Sequence, residues 1–340
     1  MVDIARKIRV LEGYRPDTLP IAQLLAGNEP VVLKGLAEEW GLVRAGRRSI
    51  ADAMNYLRSF YNGKPVGSSF ADPGIGGRLF YNEEYTALNF NITRGPMDDV
   101  LKNIEAHLDD AQPPTYYIAS LVVDQCLPGF RKDNDLDFAA HGLEPPPIIW
   151  IGNRTTASAH FDAPNNIACV AVGKRRFTVF PPDQIANLYP GPLEPTPGGQ
   201  VISIVDFSNP DFEKFPRFKD ALATAQVAEL EAGDAIFVPS MWWHHVEGLN
   251  PFNVLVNYWW MSMPSYIPTP MYALHYAMWA LRDRPENEKQ AWRDVFDYYA
   301  FGDAKLARAH LPDQAHGLLS SLDDMKARQL RAMLLNFLNR

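Results

Sequence analysis

Apolar and polar positions along the chain fall into four stretches with different periods. Between residues 17 and 60, helix-like and strand-like text alternate. The run Pro30-Val31-Val32-Leu33-Lys34-Gly35 is β-branched and closed by Gly, as expected of a short strand ending in a turn. Ser49 then precedes Ile50, Ala53, Met54 and Leu57, an i, i+3, i+4, i+7 stripe behind a residue able to cap the first turn. Residues 61–147 hold no sustained period and are rich in Gly, Pro and Tyr. One helix is predicted there, over Met97–Leu108, with Asp98 and Asp99 where negative charge suits the helix dipole.

From Pro147 to about Met263 the pattern turns to strands. Ile148–Ile151, Ile167–Val172, Phe177–Phe180, Ala235–Val238 and Asn253–Asn257 are short runs of β-formers bounded by Gly, Pro or charged turns. A Pro/Gly-rich excursion, Pro181 to Gly199, interrupts them; long loops of this kind in compact domains are usually functional. After Pro270 the helical period returns, and Leu330, Met333, Leu334, Phe337 and Leu338 share one helical face that needs a partner surface. The reading is a mainly β protein: N-terminal α/β elements over 1–146, a β core over 147–263 and a helical segment over 264–340.

At about 150 residues per domain, 340 residues suggest about two domains, or one large β domain with helical additions. Eighteen Phe, 14 Tyr and 8 Trp alongside 28 Pro favour punctuated strands around a lined cavity over a helical bundle. A net charge of −8 disfavours nucleic acid and anionic membranes as partners, since both need clustered positive charge. Two cysteines, Cys126 and Cys169, exclude a disulfide scaffold and a four-cysteine zinc site and read as reduced, buried thiols. The start of the chain carries Asp3, Arg6 and Lys7 with no apolar core, and no uncharged apolar run reaches about 18 residues, so a soluble, cytoplasmic protein is expected.

Only two regions combine His with a second ligand type in strand text: Ala159-His160-Phe161-Asp162 and Trp242-Trp243-His244-His245. Residues i and i+2 of a strand share a face, so His160 and Asp162 can aim an imidazole and a carboxylate at one point. A second histidine from another strand would complete a two-His-one-carboxylate triad, which leaves adjacent open positions on Fe(II). His-x-Asp alone is weak evidence and is far more often the mark of a surface strand pair. Its context is more telling: Gly233-Asp234 ahead of Ile236-Phe237-Val238-Pro239 reads as a tight turn feeding a strand that carries His244 at its end.

The stretch from Ala159 to Asp162, then Asn166, then Gly173–Gln184, resembles the cupin-like JmjC family of Fe(II)/2-oxoglutarate oxygenases. The likeness continues through Leu188-Tyr189-Pro190, Val205–Pro216 and Gly233-Asp234, and ends with Val238–Glu247 and Val256–Trp259. Among its members the pattern most resembles the asparaginyl hydroxylase that inhibits hypoxia-inducible factor. The resemblance implies a double-stranded β-helix, or jelly-roll, core. It further implies Fe(II) held by His160, Asp162 and His244, with His245 pointing away, and 2-oxoglutarate chelating the metal. Tyr117 would meet the distal carboxylate of 2-oxoglutarate, Asn166 and Asn257 would stand around the metal and cosubstrate, and Trp259 would wall the pocket.

Two positions depart from that relative. Arg175 stands where it has a lysine against the distal carboxylate, and a guanidinium can hold a carboxylate through two bonds. Ala157 stands where it has a threonine, leaving Thr156 or Ser158 to supply the hydroxyl. The implied reaction is hydroxylation of a C–H bond, most readily of a protein or peptide side chain, with a small molecule as the other substrate class. The alternatives are a cupin-type metal enzyme that does not use 2-oxoglutarate, and a non-catalytic binding module. The terminal apolar face, together with the relative's dimer helices, implies a homodimer.

Overall fold

The computed structural model describes residues 4–339; Met1–Asp3, part of the charged start of the chain, and Arg340 lie outside the described residues. The chain divides into two compact units, residues 1–261 and 262–340.

In the first unit the short β-branched runs become strands. They are β1 (Arg9–Leu11), β2 (Val31–Leu33), β3 (Val66–Ala71), β4 (Arg78–Leu79), β5 (Asn91–Gly95), β6 (Thr115–Val122), β7 (Pro147–Gly152), β8 (Thr156–Phe161), β9 (Asn165–Val172), β10 (Lys174–Phe180), β11 (Gln226–Glu231), β12 (Ala235–Val238), β13 (Trp243–Gly248) and β14 (Asn253–Trp260). One sheet runs β1-β2-β12-β9-β14-β7-β6-β3-β5 and the other β11-β10-β13-β8-β4. Pairing is antiparallel except for β1 with β2 and β4 with β8. The ladders end at β1 and β5 in one sheet and at β11 and β4 in the other. The jelly roll is therefore an open pair of facing sheets and not a closed barrel.

Period-2 alternation assigns each strand residue to a layer. Ala168 and Val170 of β9, Ile236 and Val238 of β12 and Leu255 of β14 meet Phe177 and Val179 of β10 and Val246 of β13 between the sheets. The alternate residues Ile167, Cys169 and Ala171 of β9 and Val254, Val256 and Tyr258 of β14 face outward, in one apolar layer with helical side chains. Those helices are α1 (Ile21–Gly27), α2 (Gly41–Arg48), α3 (Ile50–Phe60) and α4 (Met97–Ala106). Ser49 caps α3 by accepting from Asp52 N at 2.9 Å. Helix α4 stops at Ala106, two residues before the expected end, where His107 turns to bond Asp110 at 2.7 Å.

A four-residue helix, α5 (Val123–Cys126), follows β6, and α6 (Phe218–Thr224) covers the outer face of the smaller sheet through Phe218 and Ala221. Both cysteines are free and buried.

The second unit contains α7 (Pro270–Leu281), α8 (Glu286–Phe296) and α9 (Asp324–Leu338), the last capped by Asp323, which accepts from Lys326 N at 2.8 Å. On the stripe expected to need a partner, Leu334, Phe337 and Leu338 are exposed. No helix among the described residues is long and apolar enough to cross a membrane.

One buried carboxylate joins the N-terminal strand β2 to the turn before β12. Asp234 accepts from Lys34 Nζ at 2.8 Å, Gly35 N at 3.0 Å and Glu231 N at 3.0 Å. Replacing it strands two backbone donors, so Asp234→Ala is expected to cost about 2 kcal/mol. Urea unfolding followed by fluorescence measures this, and a change within error of zero would contradict the account.

Candidate metal centre and its cavity

The register between β8 and β13 slips at one point: His244 lies opposite His160, yet Val246 lies opposite Ala157. The extra residue in β8 is a β-bulge, and it brings Ala157 and His160, three apart, onto the same inner face. Ala157 packs against the core between the sheets, whereas Ala159 lies in the outer apolar layer. Ser158, inside the bulge, offers its carbonyl to His160 Nδ1 at 2.9 Å, and its hydroxyl lies 3.4 Å from Arg78 Nε. The imidazole thus spends its Nδ1 proton on the backbone and keeps Nε2 as a lone-pair donor.

His244 repeats the arrangement, bonding Trp242 O through Nδ1 at 3.1 Å. It is the second residue of β13, not the end of the strand before it, because residues 239–242 form a separate turn. That turn is stitched to the segment after β8. Met241, at φ +69°, donates its N–H to Asp162 O at 2.8 Å, and Ser240 bonds Asn165 Oδ1 at 3.1 Å and Ala163 O at 2.6 Å.

Asp162, one residue past β8, points one carboxylate oxygen, Oδ2, to within 3.5 Å of His244 Nε2. The rings of His160 and His244 lie 4.3 Å apart. One donor atom from each of His160, Asp162 and His244 falls within 4.8 Å of the other two, a span one ion with bonds of about 2 Å can bridge. Asp162 Oδ2 is buried with no hydrogen-bond partner, the state of a ligand atom awaiting a cation.

Electrostatics agree. Burial pushes the His160 imidazole down to about 4, helped by repulsion from His244. Burial also opposes charge on Asp162 and His244, but their mutual attraction outweighs it, lowering the carboxyl and raising the imidazole. His245 faces the other way. It stacks on Phe207 at 4.3 Å, and burial holds it neutral, with its pKa pushed down to about 3.

A cavity of about 380 Å³ opens beside the three ligand groups, and Tyr117, Arg175, Asn166, Asn257 and Trp259 all line it. Arg175, on the inner face of β10, is 3% exposed, and its Nε and Nη2 have no partner. Its neighbour is the Tyr117 hydroxyl; burial lowers the guanidinium pKa and raises that of the phenol. Asn257 accepts from Trp150 Nε1 at 2.7 Å and donates to Asn166 Oδ1 at 3.1 Å, forming one continuous chain of polar side chains. Trp259 stands edge-on to Trp150, and its buried indole N–H lies beside Asp162 without bonding to it. Thr156, Ala157 and Ser158 all border the cavity.

Three further residues shape the site and had no motif to announce them. Trp150 stacks on Tyr117 at 6.1 Å; strand alternation in β7 was its only signal. Gly152 leaves room for that ring, since a Cβ there would sit 2.6 Å from Tyr117 Cδ2. Gln200, just past the Pro/Gly-rich excursion, reaches Asp162 Oδ1 at 3.0 Å.

An open jelly roll with two histidines and a carboxylate lining its inner cavity is a cupin-type architecture. A family model described as a cupin-like domain matches residues 16–266, and the chain belongs to this JmjC-like family. The chain is 35% identical over 115 residues to the lysine-specific demethylase JMJ31 of Arabidopsis thaliana, covering 34% of this chain and 20% of that protein. It is 36% identical over 148 residues to an HSPB1-associated protein 1 homolog of Danio rerio, covering 42% and 32%. A tRNA wybutosine-synthesizing protein 5 of Gallus gallus is 34% identical over 106 residues, covering 31% and 30%. The matched stretch thus spans a third or less of each relative's length.

Gly152→Ala is expected to displace Tyr117 and destabilise the protein by about 2 kcal/mol through overpacking. Thermal unfolding, with tryptophan fluorescence reporting on Trp150, checks it. An unchanged melting temperature and spectrum would show that the ring has room to spare.

Proposed function

We propose that this protein is an Fe(II)- and 2-oxoglutarate-dependent oxygenase that hydroxylates a C–H bond of an uncharged protein or peptide side chain. One observation carries the reading: three converging ligand groups, one of them a carboxylate oxygen with no hydrogen-bond partner, and a buried, incompletely bonded arginine line the same cavity. A dicarboxylate with a 2-oxo acid end matches both, with its chelating end at the metal and its distal carboxylate on the guanidinium.

His160, Asp162 and His244 would hold the iron on one face and leave the adjoining positions open. When bound, iron and 2-oxoglutarate would activate O₂, so that one of its oxygen atoms is placed on carbon and the other leaves in succinate, with carbon dioxide released. Arg175 and Tyr117 orient the distal carboxylate, with Arg175 as the charged anchor in place of lysine. The Trp150–Asn257–Asn166 chain fixes polar groups beside the ligands, and Trp259 walls the space and limits water.

The acidic and basic side chains lining the cavity are Asp162, the two histidine ligands and Arg175. Iron and the cosubstrate would engage all four. The remaining lining, including Ser69, Leu79, Phe90, Ser120 and Pro197, provides no carboxylate for a methylated ammonium. Burying an unpaired cation costs several kcal/mol, so hydroxylation of a neutral side chain is favoured over lysine demethylation.

Anaerobic loading with Fe(II), then oxygen and 2-oxoglutarate, should yield succinate even without a substrate. His160→Ala should abolish this, and Arg175→Met should raise the KM for 2-oxoglutarate at least tenfold, the worth of a charge-assisted bond. Absence of 2-oxoglutarate binding by the iron-loaded protein would sink the proposal.

The exposed stripe of α9 supports a homodimer through the C-terminal helices. Leu334→Glu with Phe337→Glu should convert the dimer to monomer in light scattering; an unaltered mass would overturn it.

A further inference from the structure

Gln200 belongs to no motif, and its position follows from backbone pairing alone. The segment after the Pro/Gly-rich excursion lies antiparallel to β8: Ile202 bridges His160, and Ser203 N donates to Ala159 O at 2.7 Å. Partners in an antiparallel ladder step in opposite directions, so two residues back from Ile202 falls opposite two residues on from His160. That places Gln200 across from Asp162, with Nε2 3.0 Å from Oδ1.

A carboxylate has two equivalent oxygens, and rotation about its last side-chain bond exchanges them. A donor on one oxygen breaks the equivalence. With Oδ1 engaged by Gln200, Oδ2 is the oxygen turned toward His244, and it has no partner of its own.

We propose that Gln200 is a positioning residue for the metal centre: its carboxamide holds Asp162 Oδ1, so that Oδ2 alone is presented as a ligand. Single-oxygen ligation keeps the neighbouring metal positions free for a chelating cosubstrate. The same contact ties the centre to the segment that carries Pro197 and the exposed Gly198, both of which line the cavity. A substrate pressing on that segment would act on Asp162 through Gln200. The inference rests on the metal-binding reading of the three ligand groups.

The test uses Co(II), whose visible spectrum reports coordination number, titrated into the whole protein. Gln200→Met keeps the length of the side chain and removes the N–H. It should weaken Co(II) binding about tenfold or more, as loss of an outer partner of a ligand typically does. Its Co(II) absorption should also fall in intensity, as the freed second oxygen adds a ligand and the coordination number rises. Gln200→Ala should lose affinity to the same extent, with both variants melting within a few degrees of the parent.

Unchanged affinity and spectrum in Gln200→Met would overturn the proposal. So would a loss seen with Ala but not Met, which would make Gln200 a space-filling residue. If the parent protein binds no Co(II) at all, the metal reading itself fails. That outcome is told apart from the others because it is read on the unsubstituted chain.

Discussion

A single bulge between β8 and β13 governs the site. Without it, strict alternation would put Ala157 and His160 on opposite faces of the smaller sheet, and one of them would leave the interior. With it, both face inward, the Ser158 carbonyl lies within reach of His160 Nδ1, and His244 lies directly opposite His160. The cost is a local break in the ladder, offset by the Met241–Asp162 backbone bond and the Ser240 contacts that bind the neighbouring turn. Ligand geometry is therefore a property of backbone pairing, and the side chains inherit it.

The second constraint is electrostatic. Arg175, Asp162, Asn166 and Asn257 are all buried. Buried polar groups normally find partners, and the two asparagines do. Arg175 and Asp162 retain donor and acceptor atoms without a hydrogen-bond partner, one group cationic and the other anionic. Each such atom costs stability, so the cavity is not built for stability alone.

Much of this was legible in the sequence, for physical reasons. Strands β7, β9, β10, β12 and β14 lie on the β-branched runs that announce them, and the Ser49 cap and the α3 stripe follow local rules. The family resemblance picked out the three residues the structure brings together and the five that line the cavity with them. Less was legible where structure depends on pairing between distant segments. The open edges of the jelly roll, the bulge at Ser158 and the position of His244 near the start of its strand have no local signature. Gln200 is the clearest case, since only the register of residues 200–203 against β8 brings it to Asp162.

That register also divides the site by how its parts are attached. Strand β10, which carries Arg175, is hydrogen-bonded on both sides, to β11 and β13. The segment bearing Gln200 meets β8 through the bridge between His160 and Ile202, and its other backbone bonds, from Gly191 N to Ile202 O and from Ile204 N to Tyr189 O, run back into the excursion. Carboxylate recognition by Arg175 is thus built into the sheet itself. The grip on Asp162 Oδ1 is supplied from outside it, so the two halves of the site answer to different parts of the chain.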